Sequence, residues 1–304
     1  AQKDQPEREA TIEATLPHWR FAATAFVGSF LSFVIQPLAG KAMLPAFGGS
    51  FSIWAIALSF FQFTLLLGYG LAHLLFRSQV SRLRAWTFVI LSLLALPLLP
   101  AWETLTRIIS PDQSLSLQEL RILGNSLTWP LLCLFAGSIA LQRWWRAVPG
   151  TAGHEPHRLY AASNLGSFSG LLGYVFVLEP FWPLPEMLQF WNYGYVLWAV
   201  LLMFCLPRNP TREVSLSDLL ESSDASEAVP QGKADSVGRV FLAALASSAL
   251  LTSVTNILTI DVSPMPYLWV LPLTVYLLTW VQAFSGNLEA LESRFRWHYR
   301  ALAL

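Results

Sequence analysis

The chain has 304 residues, 54% of them apolar and only 12% charged, with a mean hydropathy of +0.49. An ordinary soluble domain carries roughly 25% charged residues, so this composition excludes a soluble enzyme, a disordered chain and a nucleic-acid binder. The 19 Lys+Arg and 19 Asp+Glu balance to zero, and the two cysteines, Cys133 and Cys205, are too few for a disulfide framework or a Cys-based zinc site.

A bilayer core about 30 Å thick needs roughly 17–25 mostly apolar helical residues per crossing. Residues 1–20 are polar and charged, without the apolar region of a signal peptide, and read as a cytoplasmic tail. Predicted spans follow at 21–39, 51–76, 85–101, 124–142, 160–178 and 191–206. Residues 207–239 are rich in Ser, Asp and Glu and poor in aromatics, which predicts a disordered cytoplasmic linker. Two further spans are predicted at 240–258 and 265–284. The segment 285–304 places Arg294, Arg296 and Arg300 before apolar residues, as in the flank of a ninth span or a membrane-surface helix. The expectation is an all-α, polytopic integral membrane helix bundle of about eight transmembrane helices. It has a six-helix membrane region at 21–206, a two-helix region at 240–284 and both termini cytoplasmic.

Charge placement tests this layout independently. With the N-terminus inside, sixteen of the 19 Lys+Arg fall on inner segments and three (Lys41, Arg107 and Arg121) on outer ones. That asymmetry is the positive-inside pattern, and Trp19, Trp86, Trp102, Trp144, Trp145, Trp182 and Trp280 near the span ends read as an interfacial belt. Alternation of apolar and polar residues is absent, which argues against a β-barrel. The outer loop 102–126 holds LSLQELRIL, a candidate short interfacial helix.

Polar residues inside spans are costly and so mark sites or specific packing. The first span ends in QPLAGKAMLPAFGGS, where Pro37, Gly40, Pro45, Gly48 and Gly49 predict a broken helix with Lys41 inside the break. In the fifth span Ala162, Gly166 and Gly170 are four apart, a stripe that lets two helices approach closely. Asn164 lies near its inner end, in reach of a neighbouring helix, and Glu179 closes it at the outer face. Asn256 falls within the seventh span, and Asp261 lies in the short turn before Pro264 and Pro266. Spans one, five and seven all run outward, so Lys41, Glu179 and Asp261 share one level. They form either an ion-pair cluster over an outward cavity or three separate interfacial charges. Gln62 and His73 are eleven residues apart, close to three helical turns, and share one face of the second span. HEPH at 154–157 has no Cys partners and is a weak metal signal. A phosphate-binding Gly-rich loop, HExxH and GxSxG are all missing from the sequence, so no catalytic constellation is assembled, and neither a cofactor nor a metal is expected.

Three stretches carry a resemblance. They are QPLAGKAMLPAFGGSFSIWAIALSFFQFTLLLGYGLAH (36–73), YAASNLGSFSGLLGYVFVLEP (160–180) and LTIDVSPMPYLWVLPLTVYLL (258–278). Together they resemble the membrane region of bacterial spermidine synthase-like integral membrane proteins, in which a multi-span region is often fused to a cytoplasmic aminopropyltransferase-like domain. The resemblance spans about residues 20–284 and implies a multi-pass protein of the bacterial cytoplasmic membrane. The soluble domain is absent from these 304 residues, so any chemistry of that domain is not carried here. Lys41, Asn164, Glu179, Asn256 and Asp261 lie in or beside the matching stretches and are the candidate site residues, with no role assigned by the resemblance.

Three functions are consistent with these features. The first is a non-catalytic membrane subunit or anchor, whose partners are the lipid bilayer and the other subunits of a larger complex. The second is a carrier for a small cationic solute such as a polyamine, with Glu179 and Asp261 binding cationic groups and Lys41 competing as a gate. The third is the membrane half of a fused aminopropyltransferase-like enzyme.

Overall fold

A computed structural model describes residues 19–48, 51–76, 80–106, 114–147, 157–207, 245–251 and 272–278, with single positions at 238, 242, 253, 254 and 257. All regular structure among the described residues is helical. In chain order the elements are α1 (Trp19–Phe47), α2 (Phe51–Phe76), α3 (Arg82–Leu94), a 3₁₀ turn (Leu96–Leu98), α4 (Trp102–Thr106) and α5 (Leu115–Ala147). Then come α6 (His157–Gly173), a π-helical turn (Tyr174–Leu178), a last turn (Glu179–Phe181) and α7 (Leu184–Phe204).

Five helices are long and apolar enough to cross a membrane: Trp19–Phe47, Ala55–Phe76, Leu115–Ala147, Leu159–Phe181 and Leu184–Phe204. With every backbone group bonded within its own segment, such helices need nothing from the lipid. The third predicted span is different. Ser81 caps α3, its side chain accepting from the Arg84 N–H at 3.2 Å, but the helix runs only 13 residues. That is about 20 Å, short of the bilayer core, and the chain turns at Pro97 into the 3₁₀ segment.

Side-chain pairings give each helix a direction. Phe26 and Phe30 of α1 meet Gly166 and Gly170 of α6, so these two run parallel. Arg20 lies over the Phe204 ring while Leu31 meets Trp191, so α1 and α7 run antiparallel. Phe21 meets the Trp145 ring at 5.5 Å, which brings the start of α1 to the end of α5. Gly68 sits against Phe135 and Phe76 against Trp144, so α2 and α5 run parallel. Phe88 contacts Trp144 while the Leu91 carbonyl accepts from Trp129, so α3 opposes α5. Thus α1, α3 and α6 run one way and α2, α5 and α7 the other.

Aromatic rings fill the centre. Trp144, Trp191, Trp198, Tyr174 and Tyr195 are fully buried. The Trp191 Nε1–H donates to the Leu31 carbonyl at 2.8 Å, and the Tyr195 hydroxyl donates to the Ser92 carbonyl at 3.2 Å, so the polar edges of these two rings are satisfied in place. Residues 272–278 are helical and lie on the α1–α6 side, with Leu277 buried against Leu171.

Three sequence expectations are corrected. The first helix is not broken at QPLAGKAMLP: α1 continues through Pro37 and Pro45 to Phe47. Each proline removes one N–H, and packed neighbours in a bundle tolerate that loss. The chain leaves the helix at Gly48, whose φ of +78° suits a residue without Cβ. The expected loop 102–126 is largely helix, because LSLQELRIL is the start of the 33-residue α5. Trp144 and Trp145 are core residues rather than belt residues, with Trp144 edge-on to Phe76 and Phe88. Trp19, Trp86 and Trp182 are exposed.

Candidate functional site

The site is built where α1 meets α6. Gly166 and Gly170 carry no side chain there, and a Cβ on Gly170 would lie 2.7 Å from the Phe30 carbonyl oxygen. One on Gly166 would fall on the Phe26 carbonyl. The two backbones therefore touch, which maximises dispersion contact where lipid offers no hydrophobic drive for association. Beside the stripe, the hydroxyls of Ser29 and Ser163 lie 2.6 Å apart and bridge the helices.

One buried row running from α6 into the π-helical turn steps in fours, Gly166, Gly170, Tyr174 and Leu178, beside a second row of Ser167 and Leu171. Four residues of α-helix turn through about 400°, so such a stripe drifts by about 40° per step. The π-helical turn Tyr174–Leu178 holds more residues per turn and absorbs that drift. It keeps Leu178 facing inward and delivers Glu179 to α1. There Lys41 donates to the Glu179 carboxylate in an ion pair, with the Glu179 side chain 10% exposed and that of Lys41 32% exposed. Each charge compensates the other where the bundle limits access to water.

The structure thus brings Lys41 and Glu179 together. Asn164, half-buried on α6, is next to Ser163, and the hydroxyl of Ser163 makes the bridge to α1. Asn256 and Asp261 lie outside the described residues, as does His154–Pro156 of the HEPH stretch. Gln62 and His73 are both exposed on α2, on the side away from the core. Among the described residues no group of three or more His, Cys, Asp or Glu is placed to hold a metal ion.

Sequence reasoning missed Glu119. It lies in the third and fourth residues after the start of α5 together with Gln118, and both are buried, Glu119 at 0% exposure. Among the described residues neither oxygen of its carboxyl has a hydrogen-bond partner. The local pattern hides it, because Leu115, Leu117 and Leu120 are exposed while the polar pair points inward. Apolar periodicity read for a water-exposed helix would choose the opposite face.

Five helices long and apolar enough to cross a membrane mark a polytopic helical membrane protein. Compared with protein-family models, with curated proteins and with solved structures, the chain matches none. The likeness to spermidine synthase-like membrane proteins therefore rests on its three stretches of sequence alone.

Proposed function

We propose that the protein is a non-catalytic membrane subunit or anchor of a larger complex, a bundle of about eight spans with both termini cytoplasmic in a bacterial inner membrane. The observation that carries this reading is the state of the polar site. Among the described residues an ion pair joins Lys41 of α1 to Glu179, and it clamps two helices. The centre of the bundle is occupied by Trp144, Trp191, Trp198, Tyr174 and Tyr195. Outward faces such as Tyr193, Leu197, Val200 and Phe204 on α7 are apolar, as lipid or a neighbouring subunit requires. The resemblance to proteins whose membrane region accompanies a cytoplasmic enzyme domain agrees with an anchoring role.

Native mass spectrometry after extraction in mild detergent tests this. The expected result is a stoichiometric companion protein on a chain of 33.9 kDa. A lone chain with no companion would overturn the reading.

One observation favours a carrier as the second reading. A π-helical turn next to a charged residue is a common device at functional sites, and Tyr174–Leu178 directly precedes Glu179. On that reading Glu179 exchanges Lys41 for a small organic cation, and Glu179→Gln abolishes uptake of a polyamine into proteoliposomes. Uptake unchanged in that variant removes the carrier reading.

A further inference from the structure

The first turns of α5 are inside-out relative to a helix in water. Leu115, Leu117 and Leu120 face outward, and Gln118 and Glu119 face the interior. Glu119 is completely buried, and among the described residues neither carboxyl oxygen has a hydrogen-bond partner. An ionised carboxylate in that position has lost its water and gained no donor, which is among the costliest placements a side chain can have.

A cation could compensate the charge, so the charged and titratable groups of each neighbour decide the matter. The elements packed on α5 include α1, α2, α3, α4 and the 3₁₀ turn, and α7, whose Trp198 fills the space at Gly137. α7 carries no Lys, Arg or His, and its Glu186 is an exposed like charge in the first turn. On α1, Lys41 is committed to Glu179, and Arg20 is at the other end of the helix. On α2 the titratable residues are Tyr69 and His73, in its last two turns, next to the end of α5 that lies far from Glu119. On α3 Arg82 and Arg84 are likewise in the first turn, at the opposite end from Leu91, which meets Trp129. α4 contributes Glu103, an exposed like charge, and the 3₁₀ turn Leu96–Leu98 carries no charge. On α5 itself Arg121 is exposed, two positions away and so on another face. No described cation meets Glu119.

We propose that Glu119 is a proton-binding site. Its carboxyl holds a proton while the Phe47 end of the bundle is closed and releases it when that end opens to water. The ligand is a proton alone, and the linkage has a definite sign. The closed state binds one more proton than the open state, so closure is favoured at low pH and weakens as pH rises. This holds for a membrane subunit and for a carrier alike.

Two measurements test it. The first is the infrared carbonyl band of neutral carboxyl groups in lipid-reconstituted protein at pH 7, where exposed glutamates with a pKa near about 4.3 are ionised. Wild type is expected to show a band that Glu119→Gln lacks, and identical spectra would overturn the proposal. The second needs only wild-type protein, so it stands if the variant fails to fold. Amide hydrogen exchange over 115–127, corrected for the intrinsic rate, is expected to report an opening constant that rises by up to about tenfold per pH unit above the ordinary glutamate range. An opening constant flat with pH would overturn the proposal.

Discussion

At the α1–α6 contact, Gly166 and Gly170 set backbone against backbone, whereas Gly28 of α1 and Gly137 of α5 make room for the indole of Trp198. A Cβ on Gly28 would lie 2.8 Å from the Trp198 Nε1, a side-chain atom, while one on Gly170 would lie 2.7 Å from a main-chain oxygen. The distances are alike, but what stands opposite differs. A main-chain carbonyl inside a helix cannot retreat without moving the helix. An indole can be replaced by a smaller ring. The first contact is therefore a rigid seam and the second a filled socket. In a bilayer, where packing quality replaces the hydrophobic drive, both arrangements hold helices together, but only the socket can be repaired from the other side.

The largest expected effect breaks the seam. Gly166→Ala pushes α6 away from α1 and costs about 3 kcal/mol, the upper range for overpacking, with no single side-chain change able to restore it. Gly137→Ala costs about 2 kcal/mol by crowding the Trp198 ring, and Trp198→Phe recovers most of that loss. Denaturing-detergent titration of the folded protein in micelles reads both effects. Rescue of Gly166→Ala by a side-chain substitution, or failure of Trp198→Phe to rescue Gly137→Ala, would erase the distinction.

A smaller effect sharpens the same comparison at the end of the seam. Lys41→Met removes the cation facing Glu179, 10% exposed, and costs about 2 kcal/mol. Glu179→Gln leaves Lys41, 32% exposed, able to extend its long stem toward water, and costs about 1 kcal/mol. Equal losses in the two single variants would mean that the burial asymmetry of the pair is not what sets its energetics.

Much of this architecture is legible in the sequence. Apolar run lengths located the five long apolar helices, and the four-residue spacing of Gly166 and Gly170 pointed to a close helix approach. The shared direction of the first and fifth spans put Lys41 and Glu179 at one level, and α1 and α6 do run parallel with those two residues paired. Proline misled the reading of α1, because Pro37 and Pro45 break helices in water more readily than inside a bundle. Glu119 was hidden for a related reason. Its helix turn exposes leucines and buries an acid, and no residue pattern distinguishes that from an interfacial helix lying the other way up. The π-helical turn is invisible in sequence, since strict four-residue spacing also occurs in helices that drift across their neighbours.

The central claim is the parallel seam between α1 and α6, and a disulfide across it is the most direct test. The Ser29 and Ser163 hydroxyls are 2.6 Å apart, so sulfurs in their place need only a small movement to reach a bond of about 2.05 Å. Ser29→Cys/Ser163→Cys, oxidised in native membranes and digested, is predicted to yield one linked peptide pair joining α1 to α6 in nearly all molecules. Free thiols at both positions after oxidation, in protein that still inserts as a bundle, would contradict the seam.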